Sequence, residues 1–369
     1  MQGSIVKRMG KNGKPIYYVV VPVGDKRRWI KAGPLKHEAE RLLRDTVAER
    51  ERGFYKDLKR APFKQLAEQW MENHKLDLKP STIRLYQDEL KVHLLPYFGE
   101  RIVSEITPAM VEAFKHETAK KVSATTTNYN LMILGSIFKM GTRLGYCYNN
   151  PLLQVDRMKQ KHKTFNTLTK EELDRLLESA EGQGKLLLMT AGMSGMRMGE
   201  VLAMKWKNLD FEKGVYSVKE SFSNFGLSSP KTETSARLVA LPPVLVQALR
   251  KRKVTQMEER LASGGSFKDQ GLVFTAENGS PVNPSNLRNR IFYPAMKKAG
   301  LTGKIRFHDL RRCFASLALE AGLNPKFVQG QLGHTTIKMT METYARVNSE
   351  KAREEIQKFN AYLTSGLTQ

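Results

Sequence analysis

The chain has 369 residues, 40% hydrophobic and 27% charged, and its 61 Lys and Arg against 37 Asp and Glu give a formal charge of +24. That length exceeds one ordinary core and implies two or three domains, each apolar enough to fold in water. The charge calls for a polyanionic partner, nucleic acid or an anionic membrane, and the membrane is disfavoured because no apolar run is long enough to span a bilayer and Met1–Lys14 is polar.

Ser4–Arg8 and Tyr17–Val21 read as short strands, separated by a hairpin turn at Gly10-Lys11-Asn12-Gly13. Gly24-Asp25 begins the next turn and Trp29-Ile30 starts a third strand. Ala39, Leu42, Leu43 and Val47 share one face and predict a helix from about His37 to Arg52. Residues 1–58 are thus a three-strand-plus-helix module. Its basic strand residues, Lys7 and Arg8 among them, form either a solvated face or a surface laid into a DNA groove.

Residues 60–155 read as almost entirely helical. Phe63, Leu66, Ala67 and Trp70 have helical spacing, and Pro80-Ser81 opens a helix that Pro96-Tyr97-Phe98-Gly99 ends. Thr107 is an N-cap with Pro108 at the first helical position. The last long helix, Thr125–Leu144, is stopped by Gly145 and Asn149-Asn150-Pro151. The methionines and aromatics of this block are expected in its core. Arg157–Lys163, with Lys159, Lys161 and Lys163, has the charge of a tether along a phosphate backbone, or simply of a solvated linker.

A capping box, Thr169-Lys170-Glu171-Glu172, then opens a new domain that runs from near residue 165 to 369. Short strands near Gly214–Glu220 and Arg237–Leu241 lie among its helices. The fold class is mainly α with small β-sheets (α+β).

Cys147 and Cys313 lack disulfide or metal spacing, the seven histidines form no metal pattern, and no acidic cluster offers metal ligands. We therefore expect no metal, no cofactor and a reducing, cytoplasmic compartment. Chemistry, if present, falls to scattered side chains. Arg197 lies in Ser194-Gly195-Met196-Arg197-Met198-Gly199-Glu200, read as a helical stretch running on to Trp206. His308 and Arg311, in His308-Asp309-Leu310-Arg311, share a face if that segment is helical. Leu332-Gly333-His334 reads as a turn into a helix N-terminus, where a phosphate could meet backbone N–H groups. Tyr344 follows His334 by ten residues. Each alone is ordinary: a surface arginine, a capping histidine, a packed aromatic.

Their order is not ordinary. SGMRMGE, then Ser229-Pro230-Lys231-Thr232, then HDLR, LGH and the tyrosine resemble the tyrosine recombinase (phage integrase) family from about Leu168 to Val347. The resemblance implies that Arg197 and Arg311 clamp the scissile phosphate and that His334 hydrogen-bonds it. It further implies that His308 accepts a proton from Tyr344, the nucleophile, that Lys231 protonates the departing 5′-oxygen, and that Glu200 orients its neighbours. Arg346 stands where a histidine is frequent, and Arg312-Cys313 replaces the usual His-Thr.

The resemblance also implies an arm-type DNA-binding domain at 1–58, a core-binding domain at 60–155 and a catalytic domain at 165–369. It implies double-stranded DNA with core and arm sites as the partner, a homotetramer on DNA, and accessory DNA-bending proteins. The tail Ser349–Leu363 has a helical pattern that packs on its own domain or on a neighbouring protomer. The rival readings are relaxation of DNA by a type IB topoisomerase-like activity and DNA-binding regulation without catalysis.

Overall fold

Three antiparallel strands in the order β1-β2-β3 open the chain: β1 (Ser4–Met9), β2 (Pro15–Val23) and β3 (Lys26–Gly33). The structure, a computed structural model, describes residues 3–9, 15–23, 26–51, 58–160, 166–228, 236–263, 265–338 and 341. The chain divides into two compact units, Met1–His162 and Lys163–Gln369. The expected turns at Gly10–Gly13 and Gly24-Asp25, and the tail Ser349–Leu363, lie outside the described residues.

In the first unit, strand alternation turns Val19 and Val21 toward Ala39 of α1 (Lys36–Glu51), where Ile5, Ile30, Leu42 and Leu43 complete a small core. Elsewhere on the sheet, Arg8 lies 4.3 Å from the centre of the Trp29 ring, a cation–π contact, and Lys7 is exposed. The strands and helix expected here are present.

The helical part of this unit comprises α2 (Phe63–Lys75), α3 (Pro80–Glu89), α4 (Leu95–Phe98), α5 (Pro108–Lys121) and α6 (Ala124–Leu144). Phe63, Leu66, Trp70, Phe98, Phe114 and Phe138 are all buried together, so these aromatics are core as expected, whereas Tyr148 and Met132 of the same block are exposed. Thr107 caps α5 by accepting from Met110 N at 3.3 Å, and Ser123 caps α6 by accepting from Thr126 N at 3.2 Å.

The chain runs from α3 to α4 through a π-helical turn, Leu90–Leu94, which the spacing did not reveal. Pro96 follows, and a proline ring collides with the carbonyl four residues back, so a wider turn relieves the clash. The basic stretch after α6 also differs from a free tether at its start. Asn128 grips Met158 twice, donating to its carbonyl at 2.9 Å and accepting from its N–H at 2.8 Å. The backbone of residue 158 is therefore docked on α6.

The second unit opens with α7 (Lys170–Glu178), whose capping box is formed as read: Thr169 Oγ1 accepts from Glu172 N, and Thr169 N donates to the Glu172 carboxylate. There follow α8 (Gly182–Ser194), α9 (Met198–Leu202), β4 (Leu209–Asp210), β5 (Val215–Val218), a β6–β7 hairpin (Ser221–Ser223, Gly226–Ser228) and β8 (Arg237–Ala240). The chain continues with α10 (Pro243–Ala262), α11 (Pro284–Asn286), α12 (Tyr293–Lys298), α13 (Leu310–Glu320) and α14 (Pro325–Leu332).

Before α12 a second π-helical turn, Leu287–Phe292, again precedes a proline, Pro294. The small sheet has the order β4-β5-β8, so β8 is an edge strand. Consecutive Leu186, Leu187 and Leu188 are all buried, which makes α8 the central helix of a core shared with Val201, Tyr216, Val239, Phe274 and Leu310. The architecture is mainly α with small antiparallel sheets and an N-terminal β3α unit. Among the described residues no helix is long and apolar enough to cross a membrane.

Candidate active site

Gly195 ends α8 because it adopts φ +67°, a left-handed conformation that other residues enter at a cost. The chain leaves that turn extended, with Arg197 at φ −69° and ψ 150° as the cap residue of α9. This corrects the helical reading of the segment: Arg197 precedes the short α9 instead of lying within a helix. Glu200, three residues on, accepts from Arg197 N at 2.9 Å and from the Arg197 guanidinium at 2.8 Å. The local turn and the aim of the arginine are thus set by one carboxylate.

Arg311 arrives from the first turn of α13, with His308 just before it in a 3₁₀ turn, Phe307–Asp309. Its guanidinium is buried and joins two helix ends, donating to Gly195 O at 2.8 Å and to Leu332 O. Leu332 is the last residue of α14. Val328 and Leu332 pack against Ala315, Ala318 and Leu319 of α13, which fixes the distance between Arg311 and the end of α14.

Gly333, at φ +63°, closes α14, and His334 follows with its backbone pinned by Gln329 on both sides. His334 N donates to Gln329 O at 3.1 Å, and the Gln329 amide donates to His334 O at 3.0 Å. Arg197 reaches the same corner, its guanidinium 3.5 Å from Gly333 O. The chain re-enters a helix at Ile337, in keeping with the turn read from sequence.

Three segments distant in sequence therefore bring Arg197, His308, Arg311 and His334 into one electrostatic neighbourhood. Desolvation, then Arg311, Arg197 and Arg237, push His334 down to about 4. Desolvation of the ring, then Arg311 and Arg312, also lower His308, although that residue is exposed overall. Both imidazoles are therefore neutral at pH 7, and His334 resists protonation. Burial and the neighbouring Arg197 and Arg237 bring Arg311 down to about 9, which leaves it a cation at neutral pH. Burial pushes Glu200 up, but bonds and charge from Arg237, with bonds from Arg197, more than offset it and keep the carboxylate ionised.

Lys231, Lys161, Lys163, Tyr344 and Arg346 lie outside the described residues. Lys7, Arg8 and Lys159 are exposed residues of the first unit. Arg312 and Cys313, the departures from the family pattern, have structural partners. Arg312 donates to Asp309 at 2.8 Å, and buried Cys313 accepts from Leu168 N at 3.2 Å.

Sequence reasoning missed Arg237 and Gln331. Arg237 donates to both oxygens of Glu200, at 3.1 and 2.9 Å, and to Gln331 O at 2.8 Å. Residues 237 and 239 share a strand face, and Val239 is fully buried, so an inward-pointing arginine was the available signal.

Residues 166–351 match the phage integrase family, and residues 62–118 match the N-terminal SAM-like domain of phage integrases. A protein named tyrosine recombinase XerC-like, from Caldanaerobacter subterraneus, is 26% identical over 95% of this chain and 97% of its own length. The prophage integrase IntR of Escherichia coli is 25% identical, over 82% of this chain and 80% of its own. Among solved structures, the Tn1549 transposon integrase in complex with a circular intermediate DNA shares the fold at a TM-score of 0.68 and 19% identity, covering 81% of this chain and 99% of that one. The lambda integrase tetramer bound to a Holliday junction does so at 0.62 and 18%, covering 92% and 94%.

Proposed function

The chain belongs to the phage integrase family, and on that premise we propose that it is a site-specific DNA recombinase acting through a 3′-phosphotyrosine. One observation carries the reading: the convergence of Arg197, Arg311, His308 and His334, with 38% of the Arg197 side chain exposed for a ligand. Guanidiniums are suited to a phosphodiester because the pentavalent transition state gathers charge on oxygens that a planar fork can meet with two bonds.

The steps assign each residue a task. The Tyr344 oxygen attacks phosphorus and its proton passes to His308. The bond from phosphorus to the 5′-oxygen breaks, and Lys231 gives that oxygen a proton. Ionising tyrosine at pH 7 costs about 4 kcal/mol, which the surrounding cations offset. Arg197, Arg311 and His334 hold the developing charge, where a single preorganised donor contributes roughly 3–4 kcal/mol. The phosphotyrosine keeps the bond energy, so a new 5′-hydroxyl can reverse the steps on another strand without ATP.

In the same reading, residues 1–58 bind arm-type sites with Lys7 and Arg8 on the sheet. Residues 60–155 bind the core site, Lys159, Lys161 and Lys163 follow the phosphates, and residues 165–369 carry catalysis. Four protomers exchange strands of a phage or other mobile element in the cytoplasm, with accessory DNA-bending proteins. The relatives named as integrases and the DNA complexes of the structural neighbours support this assignment.

The test uses nicked duplexes built from the DNA flanking the coding sequence, in EDTA. A covalent protein–DNA adduct with recombinant joints supports the proposal. Efficient relaxation of a plasmid lacking those sequences would instead favour a topoisomerase, and binding with no adduct a regulator.

A further inference from the structure

The buried Arg237 has no place in the steps above, yet its connections end on a residue that does. Only 7% of its side chain is exposed, against 38% for Arg197, so it is shielded from DNA. All three guanidinium nitrogens are engaged, Nη1 and Nη2 on the two oxygens of Glu200 and Nε on Gln331 O. Glu200 is saturated in turn: Oε1 accepts from Arg197 Nη1 and Arg237 Nη1, and Oε2 from Arg197 N and Arg237 Nη2.

The far end of this chain of contacts is equally fixed. β8 is an edge strand, and the Gln331 side chain pairs with its outer edge as a neighbouring strand would. The Gln331 amide accepts from Ala240 N at 3.0 Å and donates to Ala240 O at 2.7 Å. The end of α14 is thereby laced to the end of β8, and Arg237, at the start of the strand, ties back to Gln331 O. A buried fork between two rigid elements is a means of aiming whatever its partner holds.

We infer that Arg237 is a positioning residue for phosphodiester cleavage: anchored by Gln331 on the β8–α14 joint, it fixes the Glu200 carboxylate, which aims Arg197 at the phosphate. This role rests on the recombinase reading, and it goes beyond that reading by adding a residue that touches no DNA. A lysine at 237 keeps the charge but cannot bridge both oxygens of Glu200 while holding Gln331 O. Small misplacements of reacting groups have steep consequences, so Arg237→Lys should slow cleavage by about 100-fold.

The experiment measures single-turnover adduct formation on the nicked flanking-DNA duplex, with DNA affinity and melting temperature determined for the same full-length proteins. Arg237→Lys should lose rate while keeping its affinity within roughly threefold and its fold. In a Glu200→Gln background, Arg237→Lys should slow the reaction little further, because both changes break one path. Arg237→Met should move the acid limb of its pH–rate profile to higher pH than in the wild type, since burial then raises the Glu200 carboxylate while His308 is unchanged.

A wild-type rate for Arg237→Lys, or losses that multiply in the Glu200→Gln background, overturns the role. So does a rate that falls only in step with DNA affinity or with melting temperature. Should Arg237→Met fail to fold, the Arg237→Lys series alone decides. If the wild type forms no adduct, it is the recombinase reading that fails, and this role falls with it.

Discussion

Glu200 holds Arg197 at both ends, accepting from its backbone N–H at 2.9 Å and from its guanidinium at 2.8 Å. The carboxylate is 4% exposed while the arginine is 38% exposed, so a hidden anion orients an accessible cation. Arg197→Lys would keep the charge but lose the fork. We expect adduct formation to fall by about 10²–10³ with DNA affinity nearly intact, measured by single-turnover cleavage beside a binding titration. Parallel loss of affinity would contradict a role in the transition state.

The turn that delivers Arg197 admits no side chain. A Cβ on Gly195 would lie 2.6 Å from a ring carbon of Phe314 and 2.7 Å from a methyl of Leu332, at a φ of +67°. Gly195→Ala should destabilise by about 2–5 kcal/mol, summing left-handed strain and overpacking. Urea unfolding measures this. The variant should also cleave slowly, because the Gly195 carbonyl positions Arg311.

The acid sensitivity of the fold should carry the mark of His334. Its folded pKa of about 4 lies below the unfolded value near 6.5, so the unfolded chain binds a proton that the folded site refuses. Its contribution is therefore a loss of stability as pH falls from about 6.5 to about 4. His334→Gln should show a smaller drop in melting temperature between pH 7.5 and 4.5 than the wild type. Asp309 and Glu200, both held below the usual carboxylate range, contribute in both proteins and leave the difference to His334. Equal drops would contradict this assignment.

Both cysteines should be silent toward thiol reagents in the native protein. Burial pushes the Cys313 thiol up to about 11 and also raises Cys147, so neither supplies thiolate at neutral pH. A colorimetric thiol titration at pH 7.5 should read none before denaturation and two after it.

Much of the fold was legible because local chemistry wrote it. Thr107, Thr169 and Gly145 mark helix ends by side-chain capping or left-handed backbone, and all three act as their spacing implies. The π-helical turns before Pro96 and Pro294 were hidden, since apolar spacing changes little over one wide turn. β4, β6 and β7 are two or three residues long, too short for alternation to register.

The site itself was legible only as an ordered set of residue types. Arg197 and Glu200 are neighbours in sequence and could be paired on sight. Arg237 and Gln331 could not, because their partnership depends on β8 meeting the end of α14 across 94 residues of chain.

The central claim is that the hydroxyl of Tyr344 becomes joined to DNA, and mapping the joined residue tests it most directly. The adduct from the nicked flanking-DNA duplex would be digested with nuclease and protease and its phosphorylated peptide sequenced by mass spectrometry. We expect the phosphate on Tyr344 and no adduct from Tyr344→Phe. A phosphate on any other residue, or an adduct that persists in Tyr344→Phe, would contradict the mechanism.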